Sequence, residues 1–102
     1  MPAYLLAQLK FKDRAAYGRY LAAFPAVFAR YGGEVLVADA RPQVLEGDWP
    51  HDKVVLLKFA DEAAALRFRD SDEYQAISED RRAGADTVAL LLAGLSDARP
   101  GA

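Results

Sequence analysis

The chain contains no cysteine. Disulfides, thiol nucleophiles and thiolate metal sites are therefore excluded. It has one histidine, His51, and one tryptophan, Trp49. A single imidazole cannot build a histidine cluster, and the carboxylates show no EF-hand spacing, so no metal site is expected. No basic run is longer than Arg81-Arg82, and thirteen basic and fifteen acidic side chains are interspersed for a net charge of −2. That lacks the basic stripe of a nucleic-acid binder and the patch of a membrane-surface protein. The longest apolar run, Val88–Leu95, falls far short of the ~20 residues that cross a bilayer. Met1-Pro2-Ala3-Tyr4 places no basic segment before its apolar run, so no secretory leader is expected and a cytoplasmic location is. Gly32-Gly33 follows a helical pattern instead of opening one, which is not a phosphate loop or a dinucleotide fingerprint. No serine lies in a nucleophile-elbow pattern. A haem would have only His51 as a histidine ligand, in a turn. No cofactor is expected.

What is present is the composition of one folded domain: 102 residues, 53% hydrophobic and 27% charged. The domain is expected over 1–95, with Ser96–Ala102 a small polar tail. Its organising stretch is Leu45–Phe59, LEGDWPHDKVVLLKF. A polar hairpin, Glu46–His51, leads into Lys53–Phe59, a run apolar on both faces except at Lys58 and expected as a central strand.

The other elements follow from periodicity and caps. Ala3–Phe11 has a uniformly apolar odd set, the period-two pattern of a strand. Asp13 caps a helix whose Tyr17, Tyr20, Leu21, Phe24, Val27, Phe28 and Tyr31 share one face. Pro25 should kink or break it, and Gly32-Gly33 supplies a left-handed stop. Glu34–Ala38 is a second strand. Val44-Leu45 is a candidate edge segment. Asp61 caps a further helix, with Ala64, Ala65 and Phe68 as a narrow apolar stripe. That helix is interrupted at Asp70-Ser71, where Ser71 caps a last helix placing Tyr74, Ile77 and Arg81 on one face. Gly84 is the expected stop, and Thr87–Leu95 the last strand.

The order β-α-β-β-α-β with right-handed crossovers puts the helices on one face of an antiparallel sheet, the ferredoxin-like α+β arrangement. The second face should then be polar. Instead Tyr4 and Leu6, Val54 and Leu56, and one set of Val88–Leu92 leave it apolar. Soluble monomers rarely expose a patch of on the order of several hundred Å². A second copy packed sheet to sheet removes it, with a standard interface of roughly 1,600 Å². The alternative is a monomer whose long loop and tail cross the open face.

Four stretches carry a resemblance: MPAYLLAQLKFKD, Tyr31–Val37, Val44–Pro50, and Ser71-Asp72-Glu73-Tyr74-Gln75-Ala76-Ile77 through Arg81. Together they resemble the small bacterial family catalogued as domain of unknown function 1330, over Met1 to about Leu95. The resemblance implies a dimeric α/β barrel built from ferredoxin-like domains. Its wider group includes cofactor-free monooxygenases, muconolactone-isomerase-like enzymes and haem-dependent enzymes, a range that transfers no reaction. Asp72 departs from the proline often found there, which bears only on the helix start.

Six residues are candidates for a ligand site. His51 has the only side chain titrating near neutrality and suits a general base, or is an idle turn histidine. Trp49 suits the wall of a cleft with Glu46 as acceptor, or packs at a barrel end or interface. Arg81 suits a carboxylate or phosphate fork, or supports its helix end. Tyr74 shares its face. Tyr17, like Tyr20, belongs to the core with a hydroxyl that needs a partner. Two functions are therefore open. One is a binder of a small molecule in an apolar cleft, extending to cofactor-free oxygenation or isomerisation of a small aromatic or lactone. The other is a non-catalytic dimer with structural aromatics.

Overall fold

The computed structural model describes residues 1–95; the tail expected from Ser96 lies outside them. The elements are β1 (Ala3–Phe11), α1 (Arg14–Phe28), β2 (Glu34–Asp39), β3 (Lys53–Phe59), α2 (Glu62–Arg69), α3 (Asp72–Gly84) and β4 (Ala85–Ala93). The strands form one antiparallel sheet in the order β2-β3-β1-β4, so the two most apolar strands of the first half are central. This is the ferredoxin-like α+β arrangement, with its second crossover divided into α2 and α3.

Each helix begins at a side-chain cap that satisfies otherwise free amides. Asp13 accepts from the Ala15 and Ala16 amides at 3.0 and 3.3 Å. Asp61 accepts from Ala64 at 2.8 Å. Ser71 Oγ accepts from the Tyr74 amide at 3.1 Å and donates to the Phe68 carbonyl at 2.8 Å, closing α2 and opening α3 with one hydroxyl. The Gly32-Gly33 pair divides two tasks. Gly32 takes φ +70, where glycine carries no steric penalty. Gly33 makes room: a Cβ there would stand 2.6 Å from the Phe28 ring.

The register sorts the side chains. Ala3 pairs with Phe59 and Ala93, Leu5 with Leu57 and Leu91, Ala7 with Val55 and Ala89, and Leu9 with Lys53 and Thr87. This odd set of β1 faces the helices. Phe68 is fully buried and meets the rings of Phe24, Phe28, Tyr31, Phe59 and Tyr74 at centroid distances of 4.3–6.2 Å. The opposite face presents Tyr4, Leu6, Val54, Leu56, Val88, Leu90 and Leu92, with Val88, Leu90 and Leu92 exposed. No described element packs there.

Five expectations are corrected. Pro25 does not break α1, which runs continuously from Arg14 to Phe28. Its last turn is held by packing, with the Phe24 and Phe28 rings stacked 4.9 Å apart and Phe28 against Phe59 and Phe68. Tertiary contacts of this kind outweigh one lost backbone bond. Val44-Leu45 adds no strand, and Glu46–His51 is no hairpin but part of an irregular loop over 40–52. Pro42 and Pro50 remove donors that a ladder there would need. β4 starts at Ala85, directly after α3, because its register with Phe11 and Lys10 extends the pairing two residues earlier than Thr87. Lys53, taken with the apolar run, is the one charged side chain in the core, only 8% exposed, whereas Lys58 faces the open side beside Glu34.

Candidate functional site

A cavity of about 690 Å³ lies between the helix-facing side of the sheet and the three helices. Alternation in β1 and β3 supplies its apolar floor, Leu5, Ala7, Val55 and Leu57, and β4 adds Ala89 and Leu91. Helix periodicity brings Tyr17, Tyr20, Leu21 and Phe24 down from α1, Leu66 and Phe68 from α2, and Tyr74 and Arg81 from α3.

The polar groups are few. The Tyr20 and Tyr74 hydroxyls share a hydrogen bond at 2.9 Å. Burial, and then the neighbouring Tyr74, pushes the Tyr17 phenol up to about 12, while the Arg81 charge acts against the rise. The same causes, with the Tyr74 hydrogen bond added, raise Tyr20. Both phenols stay neutral donors at physiological pH. Lys53 Nζ stands over the Tyr17 ring, 5.0 Å from its centroid, and burial lowers its pKa from the ordinary 10.5. Among the described residues neither Lys53 nor Arg81 has a carboxylate within ion-pair distance. Arg81 Nε and Thr87 Oγ1 are buried without a hydrogen-bond partner. Among the described residues no carboxylate and no histidine lines the cavity.

The sequence candidates thus fall into two groups. Tyr17, Tyr74 and Arg81 line the cavity. Glu46, Trp49 and His51 do not; they sit on the 40–52 loop, with Glu46 exposed and the Trp49 and His51 rings 5.4 Å apart. His51 Nδ1 is buried without a partner there. The next residue anchors the loop: Asp52 accepts from the Phe11 amide at 2.8 Å and its own amide donates to the Leu9 carbonyl at 2.7 Å. Lys53 and Thr87 were missed. Both stand at strand positions paired with Leu9, Lys53 opening β3 and Thr87 third in β4, and that period-two phase was the available signal.

The family described as domain of unknown function 1330 matches residues 2–95. The chain belongs to that family. No curated protein matches it. Among solved structures it is similar to a protein of unknown function from Rhodopseudomonas palustris, 22% identical with a TM-score of 0.77, covering 93% of this chain and 83% of that one. A dimeric ferredoxin-like protein of unknown function from Jannaschia sp. CCS1 is 15% identical with a TM-score of 0.72, covering 92% and 100%. SnoaB, a cofactor-independent oxygenase from Streptomyces nogalater, is 17% identical with a TM-score of 0.66, covering 93% and 94%. At these identities the likeness carries the fold alone.

Proposed function

We propose that this member of the domain of unknown function 1330 family is a homodimer, joined through the apolar second face of its sheet into an α/β barrel, in which each protomer binds a small molecule in its own cavity. The observation that carries the ligand reading is the cavity itself. Its volume of about 690 Å³ lies in the range of small-molecule sites, and its walls are apolar and aromatic with a few convergent polar groups.

The likeness to an oxygenase that works without a cofactor supports a second reading, catalysis in the same cavity. Of the lining groups only Lys53 has a pKa moved toward neutrality, so it is the one side chain suited to take a proton there. Binding is favoured because the phenols are moved the other way and no carboxylate or imidazole is at hand.

The test is fluorescence titration with N-phenyl-1-naphthylamine, a neutral aromatic probe, on wild-type protein and on Ala89→Trp, which fills the cavity from β4. Wild type is expected to bind the probe and Ala89→Trp to lose at least tenfold in affinity with an unchanged circular dichroism spectrum. Equal binding by both would remove the cavity from the reading.

A further inference from the structure

Lys53 and Thr87 are the two register partners of Leu9, one on β3 and one on β4. They therefore stand in a single row across the helix-facing side of the sheet, two strand spacings or roughly 10 Å apart at the backbone. Above this row α1 contributes Tyr17, whose ring lies under the Lys53 ammonium. α3 contributes Arg81, close enough for its charge to act on the Tyr17 and Tyr20 phenols. The cavity lining thus includes Lys53, Arg81 and the Thr87 hydroxyl, with Arg69, Gln75 and Arg82 as its other polar side chains besides the phenols and no carboxylate among the described residues, Asp86 bordering Arg81 and Thr87 only in the adjoining cleft. Lys53 is more than nine-tenths buried, and both Arg81 Nε and Thr87 Oγ1 are buried donors without acceptors. The Lys53 side chain is drawn out of water along most of its length with no carboxylate beside it among the described residues, and charges in such settings are ordinarily paired. A cation over an aromatic ring offsets only part of the lost hydration. An anion is the chemical complement of these unpaired donors.

We propose that Lys53, Arg81 and Thr87 form an anion subsite at the end of the cavity, and that the ligand is a small aromatic or aliphatic acid, its apolar body against Leu5, Val55 and Phe24 and its acidic group between the two cations. The proposal rests on the reading of the cavity as a ligand site and adds the charge of what it takes. An acid satisfies the unpaired donors with charge-assisted hydrogen bonds, the stronger class. A neutral molecule of the same shape leaves them unsatisfied.

A matched pair of probes separates the two levels. 8-Anilino-1-naphthalenesulfonate and N-phenyl-1-naphthylamine share one aromatic skeleton and differ by the sulfonate. Both are titrated by fluorescence into wild type, Lys53→Met, Arg81→Met and Ala89→Trp, with dimer and melting temperature recorded for each. Wild type is expected to prefer the sulfonate by about tenfold or more, the effect of one hydrogen bond to a charged group. Lys53→Met and Arg81→Met should each lose that preference while keeping their affinity for the neutral probe. Equal affinities in wild type, or a preference that survives both substitutions, would overturn the anion subsite and leave the cavity reading standing. Sulfonate binding that persists in Ala89→Trp would show surface binding only and also overturn it. Failure of wild type to bind the neutral probe, with sulfonate binding that Ala89→Trp abolishes, would retain the subsite and confine the cavity to acids. Failure to bind either would end both proposals. If one methionine variant does not fold, the other decides.

Discussion

Lys53 shows what a single residue contributes against the fold that holds it. The residue is only 8% exposed and has no carboxylate partner among the described residues, so the charged form is disfavoured in the native state and the pKa falls below 10.5. The sign follows from proton counting. Between the lowered native pKa and 10.5 the unfolded chain binds more protons at this group, so its contribution makes stability rise with pH through that window. Tyr17 works the other way: its phenol, at about 12 in the fold and 10.0 unfolded, keeps its stabilisation below 10 and loses it above. Lys53→Met removes the amine term and leaves the tyrosine term. The variant is therefore expected to melt higher than wild type at pH 7, with the gap narrowing as pH rises through the lowered native pKa toward 10.5; a gap independent of pH would assign the effect to packing. The residue was hard to find because lysine at the start of an apolar strand normally turns to water, and only pairing with Leu9 fixes its side. Trp49 and His51 show the reverse. Their rarity drew notice, but rarity carries no information on where a loop residue points.

At the scale of elements, side-chain caps fixed what could be anticipated. Asp13, Asp61 and Ser71 start their helices where the free amides require it, and the break at Asp70-Ser71 followed from the same chemistry. The joint between α3 and β4 was legible only as a stop. Gly84 is required there by proximity, not by backbone angle. Its carbonyl accepts from the Lys12 and Asp13 amides at 2.8 and 3.1 Å, and a Cβ would strike the Tyr17 backbone amide and stand 2.8 Å from the Asp13 carbonyl oxygen. These neighbours are backbone and cannot rotate away. Gly84→Ala is expected to destabilise the protein by about 1–3 kcal/mol, the range for overpacking, read as a lower urea midpoint at unchanged slope. An unaltered midpoint would mean that α1 and α3 separate at no cost. The loop over 40–52 was beyond this kind of reasoning, since its tripartite polar, proline and apolar composition fits a hairpin as well as an irregular path.

Among the described residues one helix layer lies on one side of the sheet and none on the other. The alternation that placed Leu5, Leu57 and Leu91 toward the helices leaves Leu56, Leu90 and Leu92 on the far side, and the sequence pattern had already required something to cover them. The extents of 44 × 37 × 16 Å describe a slab thick enough for one sheet and one helix layer. Two such slabs placed sheet to sheet give each apolar side chain a dry neighbour, and each cavity stays on the outer side of its own sheet, beneath its own helices. In the proposed dimer the pleat separates two roles of the sheet: odd positions of β1 face the helices and the cavity, and even positions face the partner, with Leu6 and Leu90 also bordering the cavity. A charge at the centre of the second face tests this. Leu56, opposite Leu6 in the middle strands, does not line the cavity. Wild type is expected to sediment as a dimer of the 11.1 kDa chain and Leu56→Asp as a folded monomer at micromolar concentration. If the pleat divides the roles, that monomer still binds N-phenyl-1-naphthylamine within a few-fold of wild type. A dimer that survives Leu56→Asp would place the interface elsewhere. A monomer that loses the probe would show instead that the cavity depends on the partner to hold the sheet flat beneath it.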